Sequence, residues 1–215
     1  LDQDNGGQNG PSNPGGIGKR HMVIKYNEVD KRYYLRDLGD GSGTFVRVDN
    51  QKDLILKHGF IISFGDSHMV VQFSSEIQRN PDTGVNQVVQ KILLKFLDGP
   101  KIDKSFTFYS SDKIIKIGRM SSCQIKFDDN SLSRLQCQIE YRTFDPSSSR
   151  QYYNQYTMDG MLSAQPGQGM WVLTDGDPSQ GKKSTNGTWL FVDELFPICD
   201  GMVFKAGQTL FASTI

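Results

Sequence analysis

The chain predicts an all-β protein built from two tandem β-sandwich domains. Three observations carry that prediction. Apolar runs of strand length recur along most of the sequence, separated by Gly, Asp and Asn. No segment sustains the 3.6-residue period of an amphipathic helix. The series of runs also occurs twice with the same landmarks, which marks an internal repeat.

Residues 1–16 are Gly, Asn, Gln, Asp, Ser and Pro with almost no apolar side chain. Such a stretch buries too little surface to offset its ordering entropy and reads as a polar tail or loop. A first strand series occupies 17–77, with runs at Met22–Tyr26, Tyr33–Leu38, Thr44–Val48, Phe60–Phe64 and Met69–Phe73. Each is rich in β-branched and aromatic residues, which suit a pleated, half-buried surface. Residues 78–90, containing Asn80, Pro81 and Gly84, read as a turn-rich linker.

The second series fills 91–215. Its runs are Lys91–Leu97, Ser105–Tyr109, Lys113–Ile117, Gln124–Phe127, Gln138–Tyr141, Trp171–Thr174, Thr188–Val192, Met202–Phe204 and Thr209–Phe211. Many short strands with turn signals between them point to sandwiches. The copies align at His21–Tyr26 with Gln136–Tyr141, at Tyr34–Asp37 with Val172–Asp175, and at Gly43-Thr44 with Gly187-Thr188. They align again at Gly59–Gly65 with Gly201–Gly207, glycine for glycine. The second copy carries a long insert at about 143–169, rich in Ser, Tyr, Gln, Gly and Met. Inserts of this length are commonly disordered or functional.

Composition excludes several function classes. The chain has 24 basic and 24 acidic residues, so it has no global charge to hold nucleic acid or an acidic membrane surface. Any anion must be held by a local cluster. No apolar run approaches the length that spans a bilayer, and no signal peptide opens the sequence. Cys123, Cys137 and Cys199 are odd in number and form no Cys-x-x-Cys pair, so neither a zinc site nor a disulfide framework is indicated. Buried reduced thiols imply a reducing compartment, cytoplasm or nucleus. His21, His58 and His68 show no metal-ligand spacing, and no cofactor motif is present. Because the sequence starts at Leu1 without methionine, it is expected to be part of a longer protein.

Three loops of the second copy carry groups suited to an anion: Gly118-Arg119, Ser133-Arg134 and Thr185-Asn186-Gly187-Thr188. Arginine presents a planar fork of donors, hydroxyls add more, and glycine permits the turn. In this order, between these strands, the constellation resembles the forkhead-associated family over about 91–215. The resemblance implies a two-sheet sandwich that reads phosphothreonine with loops at one end. It implies that Arg119 contacts the phosphopeptide, that Ser133 and Thr185 give hydroxyls to the phosphate, and that Arg134 adds a phosphate contact. It implies that Asn186 grips the peptide main chain. Gly118, Ser131, Gln136, Lys183 and Gly187 are the supporting residues, with Ser131 where some members read a residue beyond the phosphothreonine. The family's histidine after Ser-Arg is Gln136 here, which can still donate and accept hydrogen bonds.

The first copy departs further. It has the histidine, as His21, but Gly18 replaces the serine and Gly41-Ser42-Gly43 replaces Thr-Asn-Gly. The sequence therefore predicts a degenerate first domain and a second domain that recruits a phosphothreonine-bearing protein without catalysis. The alternative is a pseudo-domain scaffold in a larger assembly, independent of phosphorylation. The segment Gly176–Lys183 approaches a nucleotide-binding loop but has lysine where Ser or Thr must meet magnesium, and a strand follows it. Asn186-Gly187-Thr188 matches a glycosylation acceptor, yet nothing points to secretion.

Overall fold

The computed structural model describes residues 16–49, 51–80, 84–143, 145, 147, 151–152 and 167–215. The polar stretch 1–15 and most of the 143–169 insert lie outside the described residues. The described chain is all-β. Its strands are β1 (Met22–Asn27), β2 (Arg32–Asp37), β3 (Thr44–Arg47), β4 (Lys52–Ile55), β5 (Ile61–Phe64) and β6 (Ser67–Arg79). There follow β7 (Asn86–Asp98), β8 (Ser105–Tyr109), β9 (Ile114–Gly118), β10 (Ile125–Lys126), β11 (Cys137–Thr143) and β12 (Gln151–Tyr152). The series ends with β13 (Gly169–Asp175), β14 (Trp189–Phe191), β15 (Phe196–Pro197), β16 (Val203–Ala206) and β17 (Thr209–Ala212).

The strands group into two compact units whose boundaries differ from the 17–77 and 91–215 division read from sequence. One unit is the continuous segment Val46–Phe191; the other joins residues 16–45 to Val192–Ile215. In the larger unit one sheet runs β10-β9-β11-β13-β4-β12 and the facing one β14-β5-β6-β7-β8. Ile115, Ile117, Ile125, Ile139, Phe64, Phe96, Ile92 and Leu94 are fully buried in it. Phe64, Phe96 and Phe127 meet edge to face, with centroids 5.6–6.4 Å apart. Such pairs add about 0.5–1.5 kcal/mol each beyond burial. In the smaller unit the sheet β1-β2-β15 places Leu35, fully buried, against Phe196.

Of the expected linker at 78–90, residues 78–79 and 86–90 instead belong to two long paired strands, and 81–83 lie outside the described residues. Strands β6 and β7 pair antiparallel from Val70↔Lys95 out to Arg79↔Asn86. The outer pairs are polar or exposed: Ile77 and Val88, directly opposite, are 72% and 65% exposed. This ribbon closes on backbone hydrogen bonds and the Lys91–Glu76 ion pair at 3.1 Å rather than on core burial. Its weak apolar signal is why it reads as a linker.

Candidate phosphate-reading site

Strands β9, β11 and β13 deliver three loops to one end of the larger unit. Gly118 ends β9 because backbone passes close to it: a Cβ there would sit 2.5 Å from the Arg134 carbonyl oxygen. The next two amides complete the contact, Arg119 N donating to Ser133 O at 3.3 Å and Met120 N to Arg134 O at 3.1 Å. The Gly-Arg and Ser-Arg loops are thus held side by side by main chain, leaving the Arg119 and Arg134 side chains exposed.

The third loop is tied to the second through hydroxyls. Thr185 N donates to Ser133 Oγ at 2.8 Å, and Ser133 Oγ donates to Thr185 Oγ1 at 3.1 Å. Asn186 Nδ2 donates to Ser131 O at 2.9 Å. Ser131 is fixed in turn by Asp129, whose carboxylate accepts from Ser131 N and Oγ at 2.8 and 2.9 Å. Those bonds, the backbone one first, hold the Asp129 carboxyl below its ordinary range.

Gln136 explains how the loops stay in register. It is fully buried, and its two amide atoms bridge loops: Ser133 N donates to Oε1 at 3.1 Å and Nε2 donates to Gly187 O at 3.0 Å. His21 makes the same bridge in the smaller unit. There Gly18 N donates to Nδ1 at 3.1 Å and Nε2 lies 3.0 Å from Gly43 O. With Nδ1 accepting, Nε2 is the ring nitrogen placed to donate to that carbonyl. Glutamine thus reproduces both hydrogen bonds of the imidazole.

Loop 176–184 is a closed hairpin rather than a nucleotide cradle. Asp177 and Lys182 exchange backbone bonds at 2.7 and 3.0 Å, a 3-10 turn spans Pro178–Gln180, and strand β14 follows. The buried Asp175 carboxylate anchors its far end, accepting from Ser184 N at 2.9 Å and Ser184 Oγ at 2.5 Å. Thr185 therefore leaves a fixed point. Gly187, at φ 75°, makes the turn, and Trp189 Nε1 donates to Asn186 O at 3.0 Å.

These loops enclose an open cavity of about 380 Å³. Arg119, Ser131, Ser133, Arg134, Lys183 and Thr185 line it, while Gly118, Gln136 and Gly187 stand behind it as supports. Asn186 is bonded to the Ser131 carbonyl beside the cavity but does not line it. Sequence reasoning missed Met120, Asn130, Asp177 and Gln180, which also line the space. Asp177-Pro178 was the available signal, since Asp before Pro starts a turn. Four cations, Arg119, Arg134, Lys182 and Lys183, face one Asp177 carboxylate around it. Such a net positive, hydroxyl-lined concavity suits a dianion of phosphate size.

Beneath the site Cys123 is buried and its Sγ donates to Arg134 O at 3.7 Å. Burial pushes its thiol up, as it does that of Cys137, where the Asp175 carboxylate adds to the effect. Among the described residues no helix is long and apolar enough to cross a membrane, and no group of His, Cys, Asp or Glu could hold a metal ion.

The family model of the FHA domain matches residues 11–65 and 115–200, so both copies are recognised, the first in part. No solved structure matches the chain.

Proposed function

Because the chain belongs to the FHA-domain family of protein-interaction modules, we propose that its second copy recruits a partner protein by reading phosphothreonine. Ser133 and Thr185 give hydroxyl and backbone donors to the phosphate. Arg119 and Arg134 supply charged donors, with Lys183 adding local potential. Asn186 holds the main chain of the bound peptide, and Gln136 and Gly187 fix the loops. The observation that carries the reading is the convergence of Ser133 Oγ and Thr185 Oγ1, 3.1 Å apart, inside a concavity walled by arginine and lysine. A phosphate brings about −1.5 to −2 charge and three acceptor oxygens. Each charged hydrogen bond to it is worth about 1.5–3 kcal/mol, enough to separate phosphorylated from bare threonine. The partner is an intracellular phosphoprotein of the cytoplasm or nucleus.

Titration of matched peptide libraries bearing threonine, phosphoserine and phosphothreonine tests this. The phosphothreonine set should bind at least tenfold tighter than the bare set. Arg119→Ala or Ser133→Ala should each remove about tenfold, or ~1.4 kcal/mol. Equal curves for phosphorylated and bare libraries would falsify the proposal.

A second reading, a phosphorylation-independent scaffold in a larger assembly, draws on the smaller unit. There Ile24, Tyr26 and Tyr33 on the β1–β2 hairpin are 44–49% exposed. A partner captured equally well after phosphatase treatment would favour it.

A further inference from the structure

Each compact unit is assembled from the first half of one copy and the second half of the other. In the larger unit β13, of the second copy, pairs with β4, of the first, through Val172↔Ile55 and Leu173↔Leu54. In the smaller unit β2, of the first copy, pairs with β15, of the second, through Tyr34↔Pro197 and Leu35↔Phe196. The repeat aligns Val172 with Tyr34 and Leu173 with Leu35. The Gly59–Gly65 and Gly201–Gly207 alignment carries Ile55 onto Pro197 and Leu54 onto Phe196. The two pairings are therefore the same pairing, in the same register.

The backbone bonds repeat the correspondence. Leu56 N donates to Trp171 O at 2.8 Å in one unit, and Ile198 N to Tyr33 O at 2.8 Å in the other. Val48 N donates to Thr188 O at 2.8 Å, and Val192 N to Thr44 O at 3.0 Å. From this equivalence we infer that the two copies have exchanged their C-terminal halves. The first copy, which lacks the reading residues, is then the half that completes the second copy's site.

Segment 47–55 shows how it does so. Arg47 stacks its guanidinium over the Trp189 ring, 5.9 Å from the centroid, and a Cβ at Gly187 would lie 3.0 Å from Arg47 Nε. The same indole holds the Asn186 carbonyl. Asp49 O accepts from Asp175 N at 3.4 Å, at the residue whose carboxylate fixes Ser184. Asp53, buried, accepts from Thr174 Oγ1 at 2.8 Å and pairs with Arg142. Both ends of the loop that carries Thr185 and Asn186 thus rest on the first copy. Arg47 is a positioning residue for Asn186, acting through Trp189. That last assignment rests on the phosphothreonine reading; the exchange does not.

The exchange is tested by cross-linking in the full chain with Cys199→Ser as background. Ile55→Cys with Val172→Cys should form a disulfide within one chain, because paired strand positions fall within disulfide reach. Pro197→Cys with Val172→Cys, the pair that unexchanged copies would bring together, should not. A 172–197 bond, or a 55–172 bond found only between two chains, overturns the inference. Should the substituted chains unfold, methyl contacts between Ile55 and Val172 in the unsubstituted protein decide the same question by nuclear Overhauser effects, and their absence overturns it.

The positioning role is read separately. Arg47→Ala should weaken phosphothreonine-peptide binding about three- to fivefold, on the scale of one cation–π contact, with the chain still folded at the assay temperature. Arg47→Lys, which keeps a cation over the ring, should restore most of it. Unchanged affinity in Arg47→Ala refutes the role. If the unsubstituted chain shows no phosphothreonine preference, the proposed function fails while the cross-link result still stands.

Discussion

Replacing Gln136 with leucine probes the brace between the reading loops. The side chains are similar in volume, so the change removes one acceptor and one donor from a fully buried position without opening a large cavity. Gly187 O is buried and loses the donor at 3.0 Å; a buried group left unmet costs about 1–3 kcal/mol. Ser133 N is half-buried and can turn to water, so its loss is nearer the net worth of an ordinary bond, about 0.5–1.5 kcal/mol. Together these give about 2–4 kcal/mol. At about 2–4 °C per kcal/mol for a domain of this size, the larger unit should melt roughly 5–15 °C lower. Gln136→His should fare far better, because His21 makes both bonds at 3.0–3.1 Å in the equivalent place. The assay is thermal unfolding followed by circular dichroism, with phosphothreonine-peptide affinity measured on the same samples. Leucine should weaken binding more than histidine at a temperature where both are folded. Equal melting of wild type and Gln136→Leu would refute the bracing argument, as would a histidine variant no better than leucine.

Phosphothreonine affinity should fall severalfold between pH 7.5 and 5.5, because the phosphate's second pKa is near 6 and the dianion is the better ligand. Isothermal titration showing a pH-independent affinity would contradict the contacts assigned to the phosphate. Thiol reagents should label Cys199, the half-buried cysteine, well before Cys123 and Cys137, whose thiols burial holds in the protonated form; mass spectrometry of timed samples reads the order. Gly18→Ser should lower the melting temperature without creating phosphothreonine affinity, because a Cβ at Gly18 would lie 2.4 Å from Asp40 Cγ. Tighter phosphothreonine binding in the Gly18→Ser, Ser133→Ala double variant than in Ser133→Ala alone would show that expectation to be mistaken.

The strands were legible because each binary pattern was local. Met69–Phe73 is a strand-length apolar run, Gly59 and Gly65 bracket β5, and Thr188-Trp189 opens β14, all visible without partners. The loop residues were legible for the same reason, since each stands at the end of a strand. The identity of the pairing strand was not. Leu173 meets Leu54 in one unit as Leu35 meets Phe196 in the other, so pattern alone fits either half of either copy. Which half completes which sandwich depends on side-chain fits such as Asp53 with Thr174 and Arg142, spread over more than a hundred residues of sequence. The β6–β7 ribbon was hidden by its exposure, since Ile77 and Val88 bury little and leave no periodic signal.

The brace and the reader obey different constraints, and the two copies separate them. In the smaller unit the brace is intact: Gly18 N, His21 and Gly43 O form the same chain of bonds as Ser133 N, Gln136 and Gly187 O. What differs is the place where the anion would sit. There the Asp40 carboxylate accepts from Arg20 N at 3.0 Å and crowds the position a side chain on Gly18 would need. A carboxylate at that point occupies a loop amide and would repel an incoming dianion. The smaller unit thus carries its own anion. The smaller unit therefore keeps the hydrogen-bonded brace of the larger one, with Gly18 standing where the larger unit has Ser133.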